Sequence, residues 1–392
     1  MRKLNIIYLE IGRGHPFYLD GIIEQLKGKG FSGPALNKVN IIDISSGLSK
    51  FLWLRIAAIY RWGSRGGLLS RLYGQWRCRR NADRFGLIEK ILSRGIRKYL
   101  KTNNNPTLVS HPMLVPMIRG LVPVYYQHGE IAVPRESMVS NSGQIFVPLE
   151  QSKEVFRGEG LRADNIFVTG LCIEAELAAK ASDMFEERVR RLASEEPLTG
   201  AFFSSGAEPP PHIDKIIRAV EANAGAGYRG IIFCRQGGRL EKNLRRTVRP
   251  SEFNSEKLPV KPEMIFGESR TALISFADRD DENRATCRLF SLFDYFVAPS
   301  HERTNWAVGM GLPMFILHPL IGSFAPLNRL FLLSHKTVVD LDTGNKADKF
   351  GEMLTAGRRD GTLLSMARNG FGKYRLDGFN KCADYLVRDL NK

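Results

Sequence analysis

The sequence predicts an α/β protein made of two doubly wound domains, and three observations support this prediction. The chain has 392 residues, too long for one ordinary hydrophobic core, which indicates two domains of about 150–200 residues each. Short apolar runs alternate with helical patterns along the first half, as in parallel βαβ units. The same alternation starts again after Gly170. We therefore expect the ligand site in the cleft between the two halves.

The first series of elements predicts a parallel sheet with crossover helices. A helix is predicted over residues 16–27, where Phe17, Ile22, Ile23 and Leu26 lie on one side. The strands are short apolar runs, predicted at residues 3–9, 38–44, 106–110, 122–126, 144–147 and 165–169.

The second series repeats this arrangement, so we place one domain at residues 1–172 and the next at residues 173–372. The last segment, residues 373–390, has an amphipathic helical pattern that Gly378 weakens over its first turn. The predicted strands lie at residues 200–204, 230–234, 273–276, 295–298, 314–317 and 338–340, and the predicted helices at residues 174–193 and 213–224.

The composition is that of a globular protein that works in the cytoplasm. Hydrophobic residues make up 43% of the chain and charged residues 25%. No apolar run reaches the roughly 18–20 residues that span a bilayer, and residues 4–9 are too short and too polar for a signal peptide. The five cysteines are scattered and form no CxxC pair. We therefore expect reduced thiols, and we predict neither a disulfide framework nor a zinc or other metal site.

Residues 51–86 combine positive charge with aromatic side chains. Residues 51–100 hold twelve Lys and Arg against Asp83 and Glu89, a net +10 of the chain's +16. A concentrated field of one sign attracts an anionic surface or polymer. This composition favours a helix lying in a lipid interface over nucleic-acid binding, and over an insertion that packs its aromatic residues internally. The residues expected to face a membrane are Trp53, Arg55, Arg61, Trp62 and Arg77.

A glycine loop follows the first predicted strand. Gly12 and Gly14 precede His15 at the start of a helix, where backbone N–H groups and the helix dipole favour an anionic ligand. Phe17 stands where a dinucleotide fingerprint has its third glycine, so no nicotinamide or flavin cofactor is expected. His15 is either a residue of the site or a helix cap.

Two more predicted strands of the first half end in histidine. His111 follows one of them, and His128 follows the next, with Glu130 two residues further on. The carboxyl ends of parallel strands meet at one edge of a sheet, so we expect these side chains on the same edge as His15. His128 and Glu130 are candidates for a general base or for polar contacts within the loop.

Small and basic residues follow two predicted strands of the second half. The first is followed by a turn suited to phosphate oxygens, made of Ser204, Ser205 and Gly206. Arg235 and Gly237 follow the second and open a run of six basic residues opposed only by Glu241. This run belongs either to the ligand site or to a solvated helix face.

Several motifs occur along nearly the whole chain in the order of one known enzyme family. In the first half they are Gly12-Arg13-Gly14-His15, Asp43 followed by the aromatic residues 48–73, Ser110-His111-Pro112 and Phe167-Val168-Thr169-Gly170. In the second half they are Cys234-Arg235-Gln236-Gly237, Pro299-Ser300, Gly311-Leu312-Pro313-Met314 and residues 322–328. The chain resembles the glycosyltransferases related to monogalactosyldiacylglycerol synthase, diacylglycerol glucosyltransferases and the lipid II-forming transferase.

The resemblance implies the GT-B fold, with two Rossmann-like domains facing each other across a cleft. It implies that residues 1–172 bind the acceptor, that the closing helix (residues 373–392) packs on them, and that residues 173–372 bind the donor. The reaction moves a sugar from a nucleotide-diphosphate sugar to a lipid hydroxyl, without a metal or other cofactor. The expected partners are the nucleotide sugar, a membrane-associated acceptor and the anionic inner face of the membrane, with no nucleic acid.

The resemblance also assigns roles to residues of this chain. The base that takes the acceptor's proton is expected among His15, His128 and Glu130. The loop near the acceptor consists of Gly12, Gly14 and His111. The expected donor-binding residues are Ser204, Ser205, Gly206, Arg235, Gly237, Ser300, Arg303, Thr304, Trp306 and Asn328.

The donor side departs from the family pattern at three positions. Trp306 stands where the family has the acidic residue that holds the donor ribose, and Phe324 and Ala325 stand where it has a Gln-Glu pair. Glu302 is a candidate to substitute for a lost carboxylate. Two other functions therefore stay open: a nucleotide-sugar epimerase of the same fold, and a binding protein that has lost catalysis.

Overall fold

The chain folds into two units, each built around its own parallel sheet. The computed structural model describes residues 3–10, 14–31, 33–63, 85–140, 143–259, 262–266 and 269–392. The first unit takes the described residues up to Ala175 together with Tyr374–Lys392, and the second takes Glu176–Lys373. The prediction of a two-domain α/β fold is confirmed.

The first sheet has six parallel strands. They are β1 (Leu4–Tyr8), β2 (Leu36–Asn40), β3 (Thr107–Val109), β4 (Val124–Gln127), β5 (Gln144–Val147) and β6 (Ile166–Val168). Their order is β2-β1-β3-β4-β5-β6, so the direction of winding reverses between β1 and β3. Strands β3, β4 and β5 are buried at every residue, as expected for a parallel sheet covered on both faces. The loops after β1 and β3 flank the point of reversal, where open α/β sheets bind ligands.

The second sheet has seven parallel strands. They are β7 (Thr199–Phe203), β8 (Arg229–Arg235), β9 (Ser251–Asn254), β10 (Thr271–Phe276), β11 (Tyr295–Ala298), β12 (Met314–Leu317) and β13 (Val338–Leu341). Their order is β13-β12-β11-β7-β8-β10-β9, with the reversal between β7 and β11. Strand β9 was not predicted, because Phe253 is its one apolar residue and an edge strand needs no apolar run.

Helices connect the strands within both units. In the described residues they are α1 (Gly14–Gly28), α2 (Gly47–Gly63), α3 (Leu87–Leu92), α4 (Arg94–Thr102), α5 (Leu114–Ile118), α6 (Glu150–Gly158), α7 (Ala175–Ala179), α8 (Ala181–Ala193), α9 (Pro210–Gly225), α10 (Arg239–Thr247), α11 (Arg279–Leu289), α12 (Thr304–Gly309), α13 (Phe324–Ser334), α14 (Gly344–Asp348), α15 (Phe350–Arg359), α16 (Thr362–Asn369) and α17 (Gly378–Leu390). Within these ranges no helix is long and apolar enough to cross a bilayer.

The last helix, α17, packs against α1 in the first unit. The ring of Phe379 lies against Gly21 so closely that a Cβ atom there would be 2.4 Å from the ring. Helix α17 begins at Gly378, five residues later than the predicted start at residue 373. The residues before it are not helical, and the carbonyl of Arg375 there accepts the N–H of Leu171 at 2.8 Å. A side chain at position 378 would meet the Gly170 carbonyl at 2.4 Å, which explains the glycine in the first turn.

Replacing Gly21 with Ala tests the contact between α1 and α17. The new methyl group has to displace the Phe379 ring, so we expect a net loss of about 1–2 kcal/mol of unfolding free energy after the helix-propensity gain of alanine. The matched control is Gly28→Ala on the same helix, where a Cβ has no atom within 4 Å. Urea unfolding curves of the two variants measure the difference, and equal midpoints would contradict the tight contact.

Candidate functional site

In the first unit, two of the predicted histidines lie together at the point of reversal between β1 and β3. The ring centroids of His15 and His111 are 4.6 Å apart, and the Ser110 hydroxyl donates to the backbone carbonyl of His15 at 2.7 Å. The Met113 N–H donates to Nδ1 of His111 at 3.2 Å, so the neutral ring carries its proton on Nε2. Gly14 is the first residue of α1. Gly12, predicted with it, lies outside the described residues.

His128 is buried after β4, and its contacts do not fit the predicted role of a base. Nε2 lies 3.1 Å from the carbonyl of Ala132, which can only accept, and Nδ1 lies 3.3 Å from the Tyr126 hydroxyl. Both ring nitrogens are therefore engaged within the protein. Burial lowers the pKa of His128 to about 3, against an ordinary value of 6.5. We conclude that His128 holds the loop after β4 in place.

Glu130 lies on the same loop and is also buried. The loop passes close to α1 because residue 129 is glycine. A Cβ at Gly129 would lie 2.2 Å from the ring of Tyr18. The loop that carries Glu130 therefore packs directly on α1, the helix that also carries His15.

In the second unit, hydroxyl groups without partners mark the point of reversal between β7 and β11. Among the described residues, the side-chain oxygens of Ser204, Ser205 and Thr304 are buried and have no hydrogen-bond partner. Ser204 and Ser205 directly follow β7, and Thr304 begins α12 after β11. Buried hydroxyls are nearly always hydrogen-bonded, so these three groups can bond to a polar ligand or to water at this edge of the sheet.

Two other residues that were predicted to bind the sugar donor connect loops to each other. The Ser300 hydroxyl donates to the carbonyl of Ala325 at 2.9 Å, and the Asn328 amide donates to the carbonyl of Ser300 at 3.0 Å. Both side chains are fully buried. They join the loop after β11 to the start of α13 and so set the shape of this edge.

Arg303 and Trp306 belong to the packed interior beneath the edge. The Arg303 guanidinium lies 4.1 Å from the centroid of the Phe203 ring and pairs with the carboxylates of Glu282 and Glu302. Trp306 packs edge-to-face against three rings, those of Phe203, Phe290 and Phe296. The prediction that Trp306 contacts the donor does not fit this position, because its indole fills the core of the second unit.

The turn after β8 is already occupied by carboxylates of the protein. The N–H of Gly237 donates to Glu241 at 2.6 Å, and the N–H of Arg239 donates to Glu208 at 2.5 Å. These amides at the start of α10 are therefore not available for a phosphate. Arg235 is exposed. Gly206, on the loop after β7, is also exposed and has open space where a Cβ would stand.

Helix α9, which follows the serine loop, does not offer the usual anion site of a helix start. Residues 209–211 are three prolines, which have no N–H to donate. The next amides, those of His212 and Ile213, both donate to the carbonyl of Pro209. A phosphate at this edge would therefore depend on side-chain hydroxyls.

Helix α2 has a buried side and an exposed side, and the prediction for Trp53 was wrong. Trp53 is fully buried, and its indole N–H donates to the carbonyl of Leu92 at 3.2 Å. Trp62 and Arg55 are exposed, with the Arg55 guanidinium 4.9 Å from the ring centroid of Phe51. We call the exposed apolar residues of this helix the apolar side of α2; they are Leu48, Phe51, Leu54, Ile59 and Trp62, with 49–53% of each residue exposed.

Two further residues of the predicted membrane surface are not described. Arg77 and the side chain of Arg61 lie outside the described part of the structure. Within that part, no group of three or more His, Cys, Asp or Glu side chains is placed to hold a metal ion.

Sequence reasoning missed several polar residues of the second unit. No sequence pattern pointed to Glu282, because it lies on α11 among the charged and polar residues that are typical of a solvent-exposed helix. No pattern pointed to His212 either, which is buried near the start of α9. His318, however, directly follows β12 and precedes a proline, which is the same strand-end signal that pointed to His111.

No protein-family model matches the chain, and no curated protein matches its sequence. Solved structures do match it along its length. S. aureus MnaA, in its co-structure with UDP, is 10% identical with a TM-score of 0.59, over 100% of this chain and 97% of that chain. Neisseria meningitidis UDP-GlcNAc 2-epimerase, bound to UDP-GlcNAc, is 12% identical with a TM-score of 0.56, over 99% of each chain. Acinetobacter baumannii MurG is 11% identical with a TM-score of 0.55, over 98% and 99%. At these identities the likeness shows the fold, which is GT-B.

The burial of His128 predicts a specific dependence of stability on pH. The unfolded chain binds a proton at this ring below pH 6.5, whereas the folded protein does so only near pH 3, so stability present above pH 6.5 is lost as the pH falls. Relative to His128→Gln, the wild type should lose roughly 2–3 kcal/mol of unfolding free energy between pH 7.5 and pH 4.5. Urea unfolding at the two pH values gives this difference. His335→Gln, at the end of α13, serves as the control and should lose as much unfolding free energy as the wild type. An equal loss in His128→Gln would refute the burial of a neutral His128 ring.

Proposed function

We propose that this protein transfers a sugar from a nucleotide-diphosphate sugar to the hydroxyl of a lipid or other membrane-associated acceptor. The observation that carries the proposal is the pair of buried hydroxyls of Ser204 and Ser205, which have no partner among the described residues. They lie at the point of reversal of the second sheet, where open α/β folds bind their ligands. The UDP and UDP-GlcNAc held by two structural neighbours support a nucleotide sugar as the ligand.

We assign the donor's diphosphate to the loops after β7 and β11. The hydroxyls of Ser204, Ser205 and Thr304 can donate hydrogen bonds to phosphate oxygens there. As the sugar–phosphate bond breaks, its electrons go to the diphosphate, and donors aimed at those oxygens stabilise the departing charge. Arg303 contributes little positive charge to this step, because Glu282 and Glu302 pair with it.

We assign activation of the acceptor to the first unit. A base takes the proton of the acceptor hydroxyl, and the oxygen of that hydroxyl forms a bond to the sugar carbon. At the same time the bond from this carbon to the phosphate oxygen breaks. His15 and Glu130 are the candidates that remain, because both nitrogens of His128 are bonded within the protein. No metal or other cofactor takes part in the proposed reaction.

We propose that the apolar side of α2 binds the surface of an anionic membrane on its cytoplasmic face. Five large apolar side chains exposed on one helix are unusual for a surface that meets only water. Lys50 and Arg55 flank them and suit anionic headgroups. The strong positive charge of residues 51–100 supports the same partner. A lipid acceptor would then lie in the membrane to which the enzyme is bound.

A thermal-shift measurement with UDP tests the donor site. UDP should raise the melting temperature of the wild type, because a ligand of the folded state stabilises it. Replacing Ser204 and Ser205 together with Ala should weaken UDP binding at least tenfold, since two hydrogen bonds to a charged group are lost. Ser365→Ala, an exposed serine on α16, is the matched control and should bind UDP like the wild type.

The product of a reaction with UDP-GlcNAc separates the proposed transfer from the other two functions. Release of UDP that depends on added lipid acceptor supports transfer. Formation of a sugar epimer without an acceptor would establish an epimerase. The absence of any shift with nucleoside diphosphates would remove the donor assignment.

A vesicle-binding assay tests the membrane surface. Changing Phe51 and Trp62 to Ser should reduce co-sedimentation with vesicles containing phosphatidylglycerol about tenfold or more, because two large side chains no longer enter the interface. Val155→Ser, on α6 of the same unit, removes another exposed apolar side chain and should have no effect. Equal binding by the wild type and by the variant with both Phe51 and Trp62 changed to Ser would contradict the role of α2.

A further inference from the structure

A histidine and an aspartate form a pair at the carboxyl edge of the second sheet. His318 directly follows β12, and Asp340 lies on the neighbouring strand β13. Nε2 of His318 is 2.9 Å from Oδ1 of Asp340. Arg329, on α13, donates from Nε to the same oxygen at 2.7 Å and from Nη2 to Oδ2. The His318 side chain is 20% exposed.

The carboxylate determines which nitrogen of His318 is available. Burial tends to raise the pKa of Asp340, but hydrogen bonds from Arg329 and His318 outweigh it and hold that pKa below its ordinary value. Asp340 is therefore ionised and accepts the Nε2–H of His318. Nδ1 has no partner among the described residues, so it is the nitrogen that can gain a proton and donate to a ligand.

The backbone that carries His318 is held by helix α9. Lys215 donates from Nζ to the carbonyl of His318 at 2.6 Å, and Nε2 of His212 lies 2.9 Å from the carbonyl of Pro319. Two side chains one turn apart on α9 thus hold consecutive carbonyls. This support keeps the His318 ring in place at the edge.

Charged or titratable groups on several elements lie around His318 and its partners. They are His212 and Lys215 on α9, His301 after β11, Arg329 on α13, Asp340 on β13, Asp342 after β13 and Lys346 on α14. Asp340 is bonded to Arg329, and Asp342 pairs with Lys346 at 2.9 Å. Because both nearby carboxylates have cationic partners of their own, a proton on Nδ1 adds positive charge that they do not fully cancel.

We propose that His318, oriented by Asp340, is a protonation-dependent contact for an anionic phosphate group of the donor. This inference rests on the proposed function, because it takes the ligand of the second unit to be a nucleoside diphosphate. Strand β12 is the neighbour of β11, so His318 shares its edge with Thr304 and the serine loop. When protonated, Nδ1–H donates a charge-assisted hydrogen bond to a phosphate oxygen; when neutral, the same nitrogen presents a lone pair to it.

Calorimetric titration with UDP at pH 6.0 and pH 8.0 tests the inference. The wild type and His318→Gln are compared, because Gln keeps an N–H for Asp340 but cannot gain charge. At pH 8.0 both proteins should bind UDP with similar affinity, and at pH 6.0 the wild type should bind about tenfold more tightly than the variant. UDP itself titrates in this range, but it does so equally for both proteins. His335→Gln, at the other end of α13, should keep the wild-type pH dependence.

Three results decide between the inference and the function on which it rests. A ratio of wild-type to His318→Gln affinity that rises about tenfold from pH 8.0 to pH 6.0, with no such rise for His335→Gln, supports the contact. An unchanged pH dependence in His318→Gln, with UDP still bound, overturns the contact and leaves the donor site standing. Failure of UDP to bind the folded wild type at either pH overturns both.

A measurement on the wild type alone covers the case in which His318→Gln does not fold. In spectra of 15N-histidine-labelled protein, His318 should carry its proton on Nε2 in the free protein, and its Nδ1 resonance should shift when UDP is added at pH 6.0. A Nδ1 resonance that does not change with UDP would overturn the inference.

Discussion

The parallel direction of every strand is the constraint on which the rest of this structure depends. A parallel sheet needs a crossover after each strand, so helices cover both of its faces and the strands become apolar along their length. Polar chemistry is then confined to the first residues after each strand, and all of those residues emerge at one edge. In this chain His111, Ser204, Ser205 and His318 all stand at such positions.

Pairing within the protein decides which of these polar groups remain for a ligand. A buried charge is costly unless it has a partner, so Arg303 lies against Glu282 and the amides of Gly237 and Arg239 lie against Glu241 and Glu208. Three consecutive prolines remove the amides that would otherwise begin α9. The groups that remain at the edge of the second unit include the hydroxyls of Ser204, Ser205 and Thr304 and the ring of His318. That remainder suits an oxyanion that binds through side chains.

Helix α2 shows how one element serves two environments. Its inner side ends in Trp53, whose ring is buried and whose N–H has a backbone acceptor, so this tryptophan contributes to the core of the first unit. Its outer side exposes large apolar residues with basic neighbours, a combination that fits a lipid interface better than water. Composition alone does not distinguish the two sides, because both hold aromatic residues.

The sequence by itself determined most of the elements of this protein, though not strand β9, and the strand ends where its polar residues gather. Apolar runs and helical periodicity identify strands and helices because they depend on neighbours a few residues away. They also place Ser204 at a strand end and His15 at the start of a helix. The tertiary structure alone decided the partners. Arg303 meets Glu282 across 21 residues, His318 meets Asp340 across 22, and Trp53 meets Leu92 across 39.

Those partners depend on which strands are neighbours and on which way each side chain points around its helix. The second sheet has the order β13-β12-β11-β7-β8-β10-β9, which is not the order of the chain. For this reason Trp306, predicted as a site residue, is buried among rings from distant parts of the chain. His128 differs, because its partners Tyr126 and Ala132 are close to it in sequence and only the assembled first unit buries it. Burial and hydrogen-bond partners are properties of the assembled sheet, and they separate the residues that hold the site from those that face a ligand.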